Sequence, residues 1–324
     1  MKVGLTFDLR SWYLDRGFSM EDTAEFDQDS TIIGLRDALH SIGHETEEVG
    51  NIFQLVEALS NGKRWDLVFN ITEGLYGDGR ESVVPSLLDQ YKIPYVFSGP
   101  LVLGVSLNKY VGKIIVSAAG VPVSPGMLIS TPEDIKKCRL EYPLFIKPVS
   151  EGTGKGITDK SIIRSSAELK EAAEYLLERF KQPALVEEYL PGREYTVGLL
   201  GSGEEAYAIG GMEIICSDNL PYSYEYKENY EDLCNYKPLD NDIAGEAKDV
   251  ALRAWKAIGG LDAGRVDVKT DRFGRICFIE VNPLAGLNLI DSDLPILARY
   301  EGIEYNELIE RIVKSAMKRY NLHA

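Results

Sequence analysis

DAGRVDVKTDRFGRICFIEVNPLAGLN, residues Asp262 to Asn288, decides how the rest of the chain reads. Apolar residues alternate with polar ones on both sides of a glycine-containing break. The stretch therefore predicts two strands, Ala263 to Lys269 and Arg275 to Asn282, joined by a polar turn at Asp271 to Gly274. Alternation puts Arg265 and Asp267 on one face of the first strand, and Glu280 and Asn282 on one face of the second. A turn of two or four residues brings all four to the same side of the hairpin and leaves Val266, Val268, Ile279 and Val281 on the other. The polar face then presents one cation, two carboxylates and an amide on rigid strands. Carboxylate and amide oxygens of this kind suit Mg²⁺ held together with substrate phosphates. A plain surface hairpin, with a salt bridge from Arg265 to Asp267 or Glu280, explains the same residues at this stage.

Working outward, a chain of 324 residues implies two or three domains at ~150 residues each. Its 44% hydrophobic and 27% charged residues are the ordinary globular mixture, and no apolar run approaches a membrane span. MKVGLTFD at the N-terminus reads as a first strand rather than a signal peptide, so a cytoplasmic protein is expected. The four cysteines are scattered without a CxxC pair, and the three histidines include His40 and His44, read as solvated residues at a helix end. Neither a disulfide framework nor a zinc site is indicated. The net charge of −16 argues against nucleic-acid and anionic-membrane partners, so any polyanionic ligand must meet a local basic cluster.

In chain order, KVGLTFDL reads as a strand and STIIGLRDALHSIG as a helix capped by Ser30, with Ile33, Leu35, Ala38 and Leu39 inward. The acidic stretch from Ser11 to Asp29 is a loop over a site or a solvated spacer. A helix over Asn51 to Asn61 leads to the apolar strand WDLVFNITEG, which suits a buried parallel sheet. Ligands gather at the carboxyl ends of such strands, so Asn70 to Gly79, with Glu73 and Tyr76, is a candidate substrate loop. A further helix and the strand IPYVFSGP follow. SLNKYVGK then opens a helix and a Pro-rich connector marks a boundary. YPLFIKPVSEGTGKGIT delivers Lys147 on a buried strand just before a glycine-rich turn, Gly152 to Gly156, whose N–H groups can cradle phosphate. Gly156 stands where a P-loop needs Ser or Thr, so this is not a Walker motif. Ser166 to Phe180 reads as a packing helix. PALVEEYLPGREYTVGLLG reads as two strands around Pro191-Gly192, with Glu187 and Glu194 at positions that strand interiors disfavour. PYSYEYKENYEDLCNYK reads as a mobile segment carrying Lys227. Helices are expected from Ile243 to Ile258, after Leu294, and from Asn306 to Tyr320.

As an ordered set, Lys109 in SLNKYVGK, Lys147 in FIKPVSEGTGKG, VEEYLPGRE, Tyr222, Tyr224 and Lys227 in PYSYEYK, and GRVDV followed by FIEVN resemble the ATP-grasp enzymes, and within them the D-alanine:D-alanine ligase family. The match spans about Trp65 to Ser292. The resemblance implies an α/β (α+β) ATP-grasp fold with three units. These are a doubly wound N-terminal substrate unit at 1–100, a central unit with the glycine-rich loop at 101–186, and a C-terminal unit with the metal-binding hairpin at 187–324. It implies an ATP-dependent carboxylate–amine ligase working through an acylphosphate, with ATP and two Mg²⁺, or Mn²⁺ in their place, as cofactors. Lys109 and Lys147 would contact phosphates, Glu187, Glu188, Tyr189 and Leu190 the adenine, and Glu194 the ribose, with Ile279 also at the nucleotide. Asp267, Glu280 and Asn282 would hold the metals. Lys227 would contact the γ-phosphate, Arg265 the tetrahedral oxyanion, and Thr153 and Gly286 would complete the catalytic set. Small amino acids or amines would be the substrates, and the family's frequent homodimer would be the assembly.

The departures fall where substrate identity is decided. The N-terminal signature of the family has only Glu25 as a loose counterpart. Glu73-Gly74 replaces His-Gly, which repels a carboxylate and suits an amine or guanidinium. Ser292 lies one residue from the serine that holds the second substrate's carboxylate. Two other readings of the same fold are a nucleotide-binding module without ligase turnover, against which Arg265 speaks, and a small-molecule kinase.

Overall fold

The computed structural model describes residues 1–216, 234–239 and 242–322. In the N-terminal part, β1 (Lys2–Phe7), β2 (Glu45–Gly50) and β3 (Leu67–Ile71) form a parallel sheet in the order β2-β1-β3. Every residue of β3 is buried, which explains its largely apolar sequence, with only Asn70 polar. Helices α1 (Arg10–Leu14), α2 (Asp29–Ser41), α3 (Ile52–Ser60) and α4 (Val83–Tyr91) surround it. Leu67, Phe69 and Ile71 share a core with α2 residues Ile32, Leu35 and Leu39, whereas Val68 faces Leu55, Leu59 and Leu88 of α3 and α4. The sheet is thus covered on both faces, as the alternating βα pattern requires.

Four local expectations need correction. Gln28, not Ser30, is the N-cap of α2 and makes no side-chain cap, so Ser30 lies inside the first turn. Ile33 is 47% exposed and Ile32 takes the inward position, because the stripe is phased by Leu35 and Leu39. IPYVFSGP contributes only an isolated bridge, Val68 to Tyr95, rather than a strand. The stretch from Ser11 to Asp29 is not a solvated spacer: it continues α1, and Tyr13, Thr23, Ala24 and Phe26 are buried. Tyr13 packs against Trp12, Phe18 and Phe26 and donates its hydroxyl to Asp8 at 2.5 Å. By contrast, the expected α3 is framed by Asn51, whose side chain and that of Gln54 form a reciprocal capping box.

Helices α5 (Pro100–Leu107) and α6 (Lys109–Ala118) meet at a 106° bend at Asn108, which caps α6 through Val111 N. No single helix among the described residues is long and apolar enough to cross a membrane. Next comes a four-stranded antiparallel sheet, order β4-β7-β5-β6, from β4 (Gly126–Ile129), β5 (Leu144–Pro148), β6 (Ile162–Ile163) and β7 (Ala184–Glu188), backed by α7 (Ser166–Phe180). A five-stranded sheet follows, order β10-β9-β8-β11-β12, from β8 (Glu194–Leu200), β9 (Tyr207–Cys216), β10 (Cys234–Pro238), β11 (Ala263–Thr270) and β12 (Ile276–Asn282). The two strands flanking Pro191-Gly192 therefore belong to different sheets, and the turn between them is a crossover. Helix α8 (Asp242–Ile258) covers the larger sheet. Its Trp255 ring fills the space that Cβ atoms at Gly260 and Gly264 would need. Helices α9 (Asp293–Tyr300) and α10 (Tyr305–Arg319) close the chain, and Leu308, Ile309, Ile312 and Val313 of α10 return to the core of the first sheet.

Asp262, immediately before β11, ties these parts together. It is fully buried with φ +64°, a left-handed conformation that Asp tolerates better than most residues. Its carboxylate accepts from Phe97 N at 2.8 Å, Arg319 Nη2 at 2.7 Å and Ser315 Oγ at 2.8 Å. Arg319 Nη2 also reaches the carbonyls of Tyr95 and Phe97. Asp262→Ala strands the Arg319 cation and the Phe97 N–H, so a loss of about 3–5 kcal/mol is expected, read as a lower urea midpoint.

Candidate active site

The cleft between the four-stranded and five-stranded sheets collects most of the residues singled out from sequence. Lys109, Lys147, the glycine-rich turn, Glu187 to Leu190, Glu194, Asp267, Ile279 and Glu280 all line it. On one wall, β5 delivers Lys147, which is 5% exposed with its Nζ 3.5 Å from Glu187 Oε2. Burial pushes the Lys147 ammonium down to about 8, with Lys109 adding to the fall and Glu280 opposing it. Glu187 is also contacted by Lys113, so its side chain is committed to two cations rather than open to a ligand. Lys109, in the first turn of α6, donates to the Glu151 carbonyl and faces Glu280 Oε2 across the cleft at 3.6 Å.

At the crossover, Glu188 N and Tyr189 N are bonded to the carbonyls of Pro125 and Pro143, while Leu190 N–H has no partner among the described residues. The Tyr189 and Phe145 rings stack at 6.4 Å and form a flat apolar flank. Glu194 is paired in register with Lys269, and their side chains meet at 2.8 Å. Lys269, a cation of the same wall, was not recognised in the sequence. Its signal is the cross-strand register, which a single strand does not display.

On the hairpin, Asp267 faces Glu280 and Arg265 faces Asn282, so the expected four residues do share a face. A bulge follows at once: Val268 pairs with Phe278, leaving Ile279 unpaired and turned into the cleft instead of the apolar floor. The core position expected for Ile279 is therefore overturned, and the local register sets it beside the cleft instead. Arg265 Nη1 lies 2.7 Å from Asp267 Oδ1 and 3.5 Å from Asp293 Oδ2, and Asn282 Nδ2 donates to Asp267 at 3.3 Å. The salt bridge of the plainer hairpin reading is present, inside a cleft rather than on a surface.

The glycine-rich turn is held against the N-terminal part by Glu25. Its carboxylate meets Arg80 Nη2 at 2.8 Å, Lys155 Nζ at 2.6 Å and Gly152 N at 3.3 Å. Burial opposes the charge of Glu25, yet Arg80 and Lys155 outweigh it and hold the carboxyl down at about 2. A Cβ at Gly152 would strike the Glu25 carboxylate at 2.9 Å, so the glycine permits this approach. Thr153 sits at the tip with φ +50°. Arg80 and Lys155 escaped the sequence reading because their partner lies far away in the chain.

A second cavity of about 330 Å³ continues past the hairpin and takes in Glu25, Glu73, Thr153, Arg265, Asn282, Gly286 and Ser292. Backbone N–H groups of Glu73 and Gly74 bond Asp8 Oδ2, which fixes the turn that carries the Glu73 side chain. Ser292 Oγ accepts from Asn288 N at 2.9 Å, and a Cβ at Gly286 would come within 2.8 Å of it. Tyr76, at 74% exposed, lies outside this cavity. Tyr222, Tyr224 and Lys227 lie outside the described residues.

Two antiparallel sheets closing on a lysine-lined cleft, with carboxylates on the hairpin opposite, define the ATP-grasp class. The family model described as the D-ala D-ala ligase C-terminus matches residues 115–314. A D-alanine–D-alanine ligase of a Marinomonas species is 34% identical over 78% of this chain and 78% of its own length. That of Acetivibrio thermocellus is 28% identical over 98% of this chain and 87% of its own length. The crystal structure of D-alanine–D-alanine ligase from Bacillus anthracis complexed with ATP superposes with a TM-score of 0.73 at 19% identity, covering 99% of both chains. The chain belongs to the D-alanine–D-alanine ligase family, and it is an ATP-dependent, carbon–nitrogen-bond-forming ligase of that kind.

Because Lys147 sheds its proton near pH 8, the free protein carries less positive charge there than at pH 7. ATP binding should then take up a proton and weaken as the pH rises through about 8. Calorimetry in buffers of different ionisation enthalpy reads both effects, and Lys147→Met should reduce the uptake, the remainder coming from Lys113, which burial pushes down to about 7.

Proposed function

We propose that this enzyme joins a carboxylate to an amine through an acylphosphate, releasing ADP and phosphate, with substrates other than two D-alanines. The observation that carries the reading is the meeting of Lys109 and Lys147 on one wall with Asp267 and Glu280 on the other. The adenine lies along Tyr189 and Leu190, whose N–H is its donor, with Ile279 beneath. Glu194 and Lys269 take the ribose. Lys109, Lys147 and the glycine-rich turn with Thr153 take the phosphates, and Lys227 takes the γ-phosphate. In this reading 1–100, 101–186 and 187–324 are the three working units.

The hairpin donors fit a hard dication: two carboxylates directly opposed in register, with an amide beside them, are oxygen ligands of the type Mg²⁺ and Mn²⁺ take. Two ions held by Asp267, Glu280 and Asn282 would neutralise phosphate charge during transfer. Arg265 pairs with Asp267 and lies 3.5 Å from Asp293, and an ion held by Asp267 would release the first of these contacts and leave the guanidinium beside the reacting centre. A substrate carboxylate oxygen attacks the γ-phosphorus and the bond to ADP breaks. The amine then attacks the acyl carbon, and the resulting oxyanion is met by Arg265 beside Gly286. Phosphate departs with the bonding pair, and the nitrogen loses its proton. Positioning and electrostatics supply nearly all of the catalysis in such a transfer.

Arg265→Ala should leave ATP affinity within a few-fold and lower turnover roughly a hundredfold, since the guanidinium acts mainly on the oxyanion. Phosphate release and equilibrium nucleotide binding are the two readouts. A parent protein that binds ATP and never turns over would favour the non-ligase module. ADP release without an amine, together with a phosphorylated product, would favour the kinase.

A further inference from the structure

Among the described residues, the cavity beyond the hairpin is lined by eight carboxylates and three cationic side chains. The three cations are already engaged. Arg265 is on Asp267, Lys109 is on the Glu151 carbonyl and near Glu280, and Arg10 is on the carbonyls of Thr23 and Ala24. A small zwitterionic substrate needs a cation for its carboxylate, and this lining offers mostly the opposite charge.

At one end of the cavity, carboxylate oxygens of Glu25, Glu73 and Glu81 converge to within 4.8 Å of one another. Glu25 is neutralised by Arg80 and Lys155. The side chains of Glu73 and Glu81 have no hydrogen bond or ion pair among the described residues, and Glu81 is only 9% exposed while lining the cavity. An unpartnered, buried carboxylate that opens onto a cavity is costly unless it is protonated or meets a cation.

We infer that one of the two substrates carries, besides the amino and carboxyl groups of a simple amino acid, a further ammonium or guanidinium that seats between Glu73 and Glu81. The inference deepens the ligase reading, which supplies the identification of this cavity as a substrate site. An ammonium held between two carboxylates keeps its proton and is no nucleophile, so the seated cation is a recognition group distinct from the amine that is acylated. Neutralisation of Glu25 by two cations weighs against a metal ion on all three carboxylates, since only two would remain to hold it. Burial pushes the Glu81 carboxyl up to about 7 and the Glu73 carboxyl well above its usual range, with Glu81 and then Glu25 and Asp27 raising Glu73, Glu25 raising Glu81, and Arg80 opposing on both and Lys109 on Glu81. Cation binding therefore displaces protons, and affinity rises as the pH increases through about 7.

The test pairs D- and L-forms of lysine, ornithine and arginine with D- or L-alanine, against norleucine and citrulline as neutral isosteres. Phosphate release and product mass are followed. Basic members should exceed their isosteres by at least roughly tenfold in kcat/KM. Glu73→Gln and Glu81→Gln should each raise KM for the basic substrate on the order of tenfold with kcat within a few-fold. The fall of KM from pH 6 to 8 should flatten in Glu81→Gln. Turnover of neutral substrates equal to that of basic ones overturns the inference and leaves the ligase reading standing. Absence of turnover with every pair, together with arginine or agmatine binding to the complex with Mg²⁺ and a non-hydrolysable ATP analogue and loss of that binding in Glu81→Gln, does the reverse. Neither turnover nor binding overturns both. Mn²⁺ bound without nucleotide, lost in Glu73→Gln but kept in Asp267→Asn, assigns the carboxylates to a metal and overturns the inference.

Discussion

The cleft depends on a single buried carboxylate. Asp262 precedes the strand that carries Arg265 and Asp267, and its oxygens bind one N–H of the N-terminal part and the guanidinium of the last helix. A fully desolvated anion tolerates little displacement from its donors, because each lost bond leaves a charge in a low-dielectric interior. The first sheet, the hairpin and the C-terminal helix are therefore held in one frame. The separation between the Glu73 turn and the Arg265 face is set by that frame and not by loop lengths.

A chain with a net charge of −16 holds a polyanion by concentrating its cations rather than by multiplying them. Lys109, Lys147 and Lys269 come from α6, β5 and β11, and all face one cleft. The acids are partitioned with equal care. Those on the hairpin stand opposite Lys109 and Lys147, whereas Glu73 and Glu81 lie where the cations are already spent. The two ends of the groove thereby carry opposite electrostatic character.

Much of this was legible in sequence where the cause is local. Alternation across a turn located the hairpin and its polar face, because strand geometry needs no distant information. The lysines and glycine-rich turn were legible as an ordered set of motifs, and the capping box at Asn51 is written in adjacent residues. What failed was decided by tertiary contact. The bulge that redirects Ile279 is a feature of how β12 pairs with β11, which neither strand shows alone. The phase of α2 is set by the sheet beneath it, so Ile32 displaced Ile33. Arg80 and Lys155 became meaningful only once folding brought them to Glu25, and Glu81 only once the cavity it lines was visible. That the two strands around Pro191-Gly192 belong to different sheets was not legible, because a crossover and a turn within one sheet have the same local signature.

That crossover has a mechanical consequence. The chain passes from one sheet to the other beside Tyr189 and Leu190, at one end of the cleft, while Thr153 and Glu280 stand toward the other. A change in the angle between the sheets that pivoted at the first end would be magnified at the second, as in a pair of tongs. A flat group lodged at the fulcrum is gripped nearly equally in every posture, whereas the gap between the tips is the coordinate that a few degrees of rotation alters most. Recognition that must persist and contacts that must come and go are thus assigned to different radii of the same lever.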